Sequence, residues 1–114
     1  MTRDIAARLR DAIGALDGIT QRTSGLNRRQ FDANEDLQLI VERLLITVGE
    51  ALSEAENSDP ELSERIPSIR SVVGTRNRIV HNYWNVDPDV LWDVTVAKGP
   101  QLRAFLQKLL DEYS

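Results

Sequence analysis

Apolar positions along this chain recur at steps of three and four, the spacing of one face of an α-helix. Ile5, Leu9, Ala12, Ile13, Leu16 and Ile19 form the first such stripe, and Ser24-Gly25 ends it. Asn27 stands as a candidate N-cap before Arg28-Arg29-Gln30-Phe31. Asn34 stands as a stronger one, because Glu35 and Asp36 follow where the helix dipole favours acids. Leu37, Val41, Leu44, Leu45, Val48, Leu52 and Ala55 then predict the longest helix, about six turns at 3.6 residues per turn. Asn57-Ser58-Asp59-Pro60 ends it. Pro67 suits a helix N1 position, and Ile69, Val72, Val73, Ile79 and Val80 share a face after it. Asn82 to Asp87 reads as a turn, with Asp87-Pro88 a second pairing of cap and N1 proline. Val90, Leu91, Val94 and Val96 carry helical spacing to Lys98, and Gly99-Pro100 is expected to break or kink it. Leu102, Phe105, Leu106, Leu109 and Leu110 close the chain. The predicted fold is all-α, an up-and-down bundle of four to five helices in a single domain spanning 1–114. Its last helix is expected to be split at Gly99-Pro100.

Composition narrows the chemistry. The 114 residues are 41% hydrophobic, enough for a core at this length. The absence of cysteine excludes disulfides, thiolate metal sites and cysteine nucleophiles. A single histidine excludes a metal site built on several imidazoles of one chain, and neither metal nor cofactor is expected. No apolar run is long enough to span a membrane, and Met1-Thr2-Arg3-Asp4-Ile5 lacks the apolar core of a signal peptide, so the cytoplasm is the expected compartment.

The formal net charge of -4 argues against a uniformly basic nucleic-acid binder, but the charge is unevenly spread. Residues 18–31 carry three arginines and no acid. Residues 32–64 carry ten acids and one base, and 65–86 carry four arginines and no acid. Two basic islands therefore flank one acidic segment.

One residue does not fit its helix. With Ile69 at zero and about 100° per residue, Val72, Val73 and Val80 fall near -60°, 40° and 20°. Arg76 falls near -20°, in the middle of the apolar stripe. A guanidinium stays charged and needs partners in such a place. An acid from another helix, such as Glu42, Glu50 or Asp93, would satisfy it as a structural ion pair.

The octet around Arg76 suggests more than a structural pair. Residues 76–83 read Arg-Asn-Arg-Ile-Val-His-Asn-Tyr, and they hold the only histidine, His81. Histidine exchanges protons near neutral pH, and arginine holds and neutralises phosphate. Asn77 lies one turn before His81 and is placed to orient its ring. Tyr83 and Trp84 follow, either as core anchors or as surfaces on which a base stacks. On a straight helix Arg76 and His81 stand about 140° apart, so they do not face one substrate. The helix distorts near His81, or Arg76 reaches along a groove, or a second subunit completes the site.

Arg76-Asn77-x-x-x-His81-x-Tyr83 resembles the signature of the HepT-like proteins of the HEPN superfamily. The likeness extends over nearly the whole chain. It includes the acidic helix leading into Ile46-Thr47-Val48-Gly49-Glu50-Ala51, Pro67-Ser68-Ile69, and Trp84-Asn85-Val86-Asp87 with Trp92. Asn82 departs from the pattern, in which glycine is frequent. The resemblance implies a helical bundle that dimerises and brings two motifs together in one cleft. It implies a metal-independent endoribonuclease acting as a toxin, with a minimal nucleotidyltransferase as antitoxin. In that system AMP is transferred to the motif tyrosine, which here is Tyr83.

The residues fit such chemistry. Metal-free RNA cleavage needs a base for the 2′-hydroxyl, an acid for the leaving oxygen and positive charge at the phosphorus. One chain has one histidine, whereas a two-fold dimer supplies two histidines and two copies of Arg76. On this reading His81 moves the proton, Arg76 stabilises the phosphorane, and Asn77 holds His81 or the phosphate. Arg70 and Arg78 position the RNA backbone. The alternative is a non-catalytic HEPN module that binds nucleotide or protein beside a nucleotidyltransferase, its acidic segment meeting a basic partner.

Overall fold

The computed structural model describes residues 2–66, 69–81 and 87–113, with side chains described from residue 4 onward. Pro67 therefore lies outside the described residues. Every regular element among the described residues is helical: α1 (Thr2–Thr23), α2 (Arg28–Asp32), α3 (Glu35–Ser58), α4 (Leu62–Arg65), α5 (Ile69–His81), α6 (Pro88–Asp93), a π-helical turn (Val94–Lys98) and α7 (Gly99–Tyr113).

Local chemistry sets most of the boundaries. Gly25 takes φ 80°, a left-handed conformation that L side chains avoid, and so turns the chain after α1. Asn27 forms a capping box with Gln30 at the start of α2. The Asn34 side chain accepts from the Leu37 N–H to open α3, and Asp87 does the same for Asp89 ahead of Pro88.

The long helices stack in the order α5, α3, α1, α7, with α3 packed between α5 and α1. The stripe predicted for α1 is buried in full. That of α3 is buried except for Leu44, which is half-buried against the core. Phe31 of α2, fully buried, lies against Trp92 of α6 with ring centroids 5.4 Å apart.

The expected split at Gly99-Pro100 takes the form of a change in helix type: the π-helical turn Val94–Lys98 ends where α7 begins, at Gly99. The chain stays helical through both residues, and the proline is accommodated one turn earlier. Pro100 has no N–H and would crowd the carbonyl four residues before it. The π turn removes that conflict by inserting one residue, with the Gly99 N–H donating to the Val94 carbonyl. A Cβ at position 99 would fall 2.6 Å from that carbonyl oxygen, so the turn requires glycine. The wide turn also rotates the surface. Leu91, Thr95, Gly99 and Leu102 face the core, while Val96 is turned out and 51% exposed.

The predicted stripe of α5 is only partly realised. Ile69 and Ile79 are buried and Thr75 joins them, but Val72, Val73 and Val80 are half-buried. The cause is one-sided packing, since α5 rests chiefly on α3. Between α5 and the α6–α7 arm lies a cavity of about 460 Å³, lined by Val72, Thr75, Arg78, Val94, Leu102 and Phe105 among others.

Candidate functional site

The junction of α3 and α5 is closer than side chains normally permit. A Cβ at Gly49 would lie 2.4 Å from Arg76 Cβ and 2.7 Å from its Cγ. The aliphatic stem of Arg76 thus passes directly across the backbone of α3. Glycine is the residue that makes room, despite its cost of about 1 kcal/mol in a helix interior. Its sequence signal was a lone glycine between Val48 and Ala51 in an otherwise continuous helical stripe, which a close packing contact explains.

The guanidinium emerges beyond that crossing. Arg76 Nη2 donates to Glu50 Oε1 at 3.3 Å, and Nη1 donates to the amide oxygen of Asn77 at 2.9 Å. Its Nε is buried and has no partner. Of the three acids predicted as partners, Glu50 is the one in place. Asp93 pairs instead with Lys98 at 3.2 Å. Glu42 is half-buried and forms no ion pair among the described residues, and burial pushes its carboxyl above the usual range. The side chain of Arg76 remains 29% exposed and that of Glu50 53%, so the pair lies at the surface of the α3–α5 junction and not in the core.

His81 is exposed at the last residue of α5. Asn77, predicted to orient its ring, directs its amide oxygen to Arg76 instead. Arg70, Asn77 and His81 share the solvent side of α5 at helical spacing. Arg78 lies further round and lines the cavity facing α7, so the structure does not bring it to the Arg76 side. Neither Arg70 nor Arg78 forms an ion pair among the described residues. Arg8, Arg28, Arg65 and Arg103, by contrast, are tied to Glu54, Asp32 and Asp89, Glu112 and Asp17. Tyr83 lies outside the described residues, as does Trp84.

No group of three or more His, Asp or Glu side chains converges to hold a metal among the described residues. No helix of the structure is long and apolar enough to cross a membrane. What the α3–α5 junction offers is a fixed guanidinium, an amide and, at the helix end, an exposed imidazole.

The chain is similar over almost its full length to proteins named as ribonucleases. It is 26% identical over 110 residues to the Methanocaldococcus jannaschii protein named "Putative RNase MJ0125", covering 96% of this chain and 94% of that one. It is 30% identical over 101 residues to the Thermococcus cleftensis protein named "Probable ribonuclease HepT", covering 89% and 91%. No solved structure matches significantly. The family model described as "Ribonuclease HepT-like" matches residues 12–109, which include Gly49, Glu50 and the whole Arg76 to Tyr83 octet. The chain belongs to the HepT-like ribonuclease family.

Proposed function

We propose that this protein is a toxin that cleaves RNA without a metal, in a cleft shared by two copies, and that a nucleotidyltransferase antitoxin silences it by placing AMP on Tyr83. The observation that carries the reading is the fixed Arg76 guanidinium on the same short helix as the chain's only histidine. In the proposed step a base removes the 2′-hydroxyl proton, and that oxygen bonds to the adjacent phosphorus. The bond from phosphorus to the 5′-oxygen then breaks, and an acid protonates the departing oxygen. The products are a 2′,3′-cyclic phosphate and a 5′-hydroxyl. His81 from each of two copies serves as base and acid, and Arg76 neutralises the phosphorane. Arg70 and Arg78 engage the flanking backbone. Asn77 acts through its bond to Arg76.

The exposed surface of α3 supports a dimer. Leu39, Arg43 and Glu50 form one exposed stripe at helical spacing with Ile46 half-buried among them, and Leu39 is 57% exposed. Ile40 beside it is also exposed, and Val73 and Val80 on α5 are half-buried. An isologous contact over α3 and α5 covers this apolar surface and brings two Arg76–His81 sets together. An AMP on Tyr83, two residues past His81 in the sequence, adds bulk and a negative charge that repels RNA.

One observation favours the alternative, a non-catalytic module: Arg76 already has a carboxylate partner, as it would in a purely structural role. Two measurements separate the readings. Light scattering is expected to give twice the 12.9 kDa chain mass, and production of the chain alone is expected to arrest growth. Arg76→Ala abolishes that arrest, and a co-produced nucleotidyltransferase adds AMP to the intact mass. A monomer whose production is harmless sinks the toxin reading.

A further inference from the structure

We infer that Gly49 and Glu50 on α3 form a seat that fixes the Arg76 guanidinium, which makes Glu50 a positioning residue for the cleavage proposed above; the functional part of the inference rests on that reading. The seat has two components. Gly49 takes the stem of Arg76, whose Cβ and Cγ occupy the space that a side chain at 49 would fill. Glu50, the next residue, takes the head at 3.3 Å. Adjacent residues of one helix thus grip both ends of the same side chain.

Donor counting shows what the grip leaves available. A guanidinium has five N–H donors. The Nε–H is buried without a partner, one Nη2–H goes to Glu50, and one Nη1–H goes to Asn77. One N–H remains on each terminal nitrogen, two donors available to the oxygens of a phosphate. Because Glu50 and Asn77 bind opposite terminal nitrogens, they set the plane of the guanidinium as well as its location. An ion pair this exposed contributes little to stability. Its consequence lies in restricting a long, flexible side chain at the surface of the α3–α5 junction.

The contrary idea is that Glu50 merely competes with the phosphate for Arg76. The two ideas predict opposite signs. Glu50→Gln keeps the size of the side chain and removes its charge. If Glu50 positions Arg76, kcat on a short RNA in chelator falls about tenfold, while KM changes less than about twofold. The melting temperature stays at the wild-type value. If Glu50 competes, KM falls and kcat/KM rises, which overturns the inference while the nuclease reading stands. If wild-type protein and Arg76→Ala cleave equally or not at all, the nuclease reading fails and takes the functional role of Glu50 with it. The seat itself then stands or falls on the Arg76 Nε–H signal in 15N-labelled protein. Slow solvent exchange in wild type that becomes fast in Glu50→Gln supports the seat, and equal exchange in both removes it.

Discussion

Replacing His81 by alanine is expected to lower RNA cleavage by about a hundredfold to a thousandfold while leaving the fold intact. His81 is exposed at the C-terminal end of α5, so its removal opens no cavity and strands no buried partner. Substitutions of that kind cost within about 0.5 kcal/mol, or about 3 °C in melting temperature for a domain of this size. The effect on rate is large because the chain has no second imidazole to take over the proton transfer. Initial rates on a short RNA, with thermal melts of the same samples, check both halves. An alanine variant as fast as wild type means that His81 carries no proton in the reaction.

Phe31→Ala is expected to have the largest effect on stability. Phe31 sits on a helix of five residues that supplies little stability itself. Its ring is fully buried, and its contact with Trp92 joins α2 to α6. Truncation removes the transfer energy of the ring and leaves a cavity, about 3–5 kcal/mol together. Domains have about 5–15 kcal/mol in total, so the variant should melt at least about 10 °C lower. Urea unfolding with an unchanged m-value measures the loss directly. Lys108→Ala, on the exposed side of α7 and away from α3 and α5, is the control and should fall within about 0.5 kcal/mol of wild type. A loss below about 1 kcal/mol for Phe31→Ala contradicts the packing described for α2 and α6.

How much of this could be read before the structure depended on where each residue's constraint comes from. The stripes of α1 and α3 were legible because both helices are packed on two sides, so nearly every apolar position has a neighbour. The caps at Asn27, Asn34 and Asp87 were legible because capping is local. Helix α5 was harder. It packs mainly against one neighbour, so Val72, Val73 and Val80 share the periodicity of core residues without the burial. The interruption at Gly99-Pro100 was legible because the missing N–H of Pro100 is visible in the sequence, but its form, a π turn, depends on the Val94 carbonyl and Gly99. Arg76 stood out as the one charge on an apolar stripe, but spacing could not choose among Glu42, Glu50 and Asp93. That choice is made by the crossing of α3 over α5, which Gly49 permits.

The most direct test is the cleavage of one RNA oligonucleotide by purified chain in excess chelator, with products identified by mass. The account predicts fragments ending in 2′,3′-cyclic phosphate and 5′-hydroxyl, no cut where the 2′-hydroxyl is replaced by hydrogen, and no cleavage by Arg76→Ala. Cleavage that requires an added divalent metal, or that proceeds at the 2′-deoxy position, contradicts it.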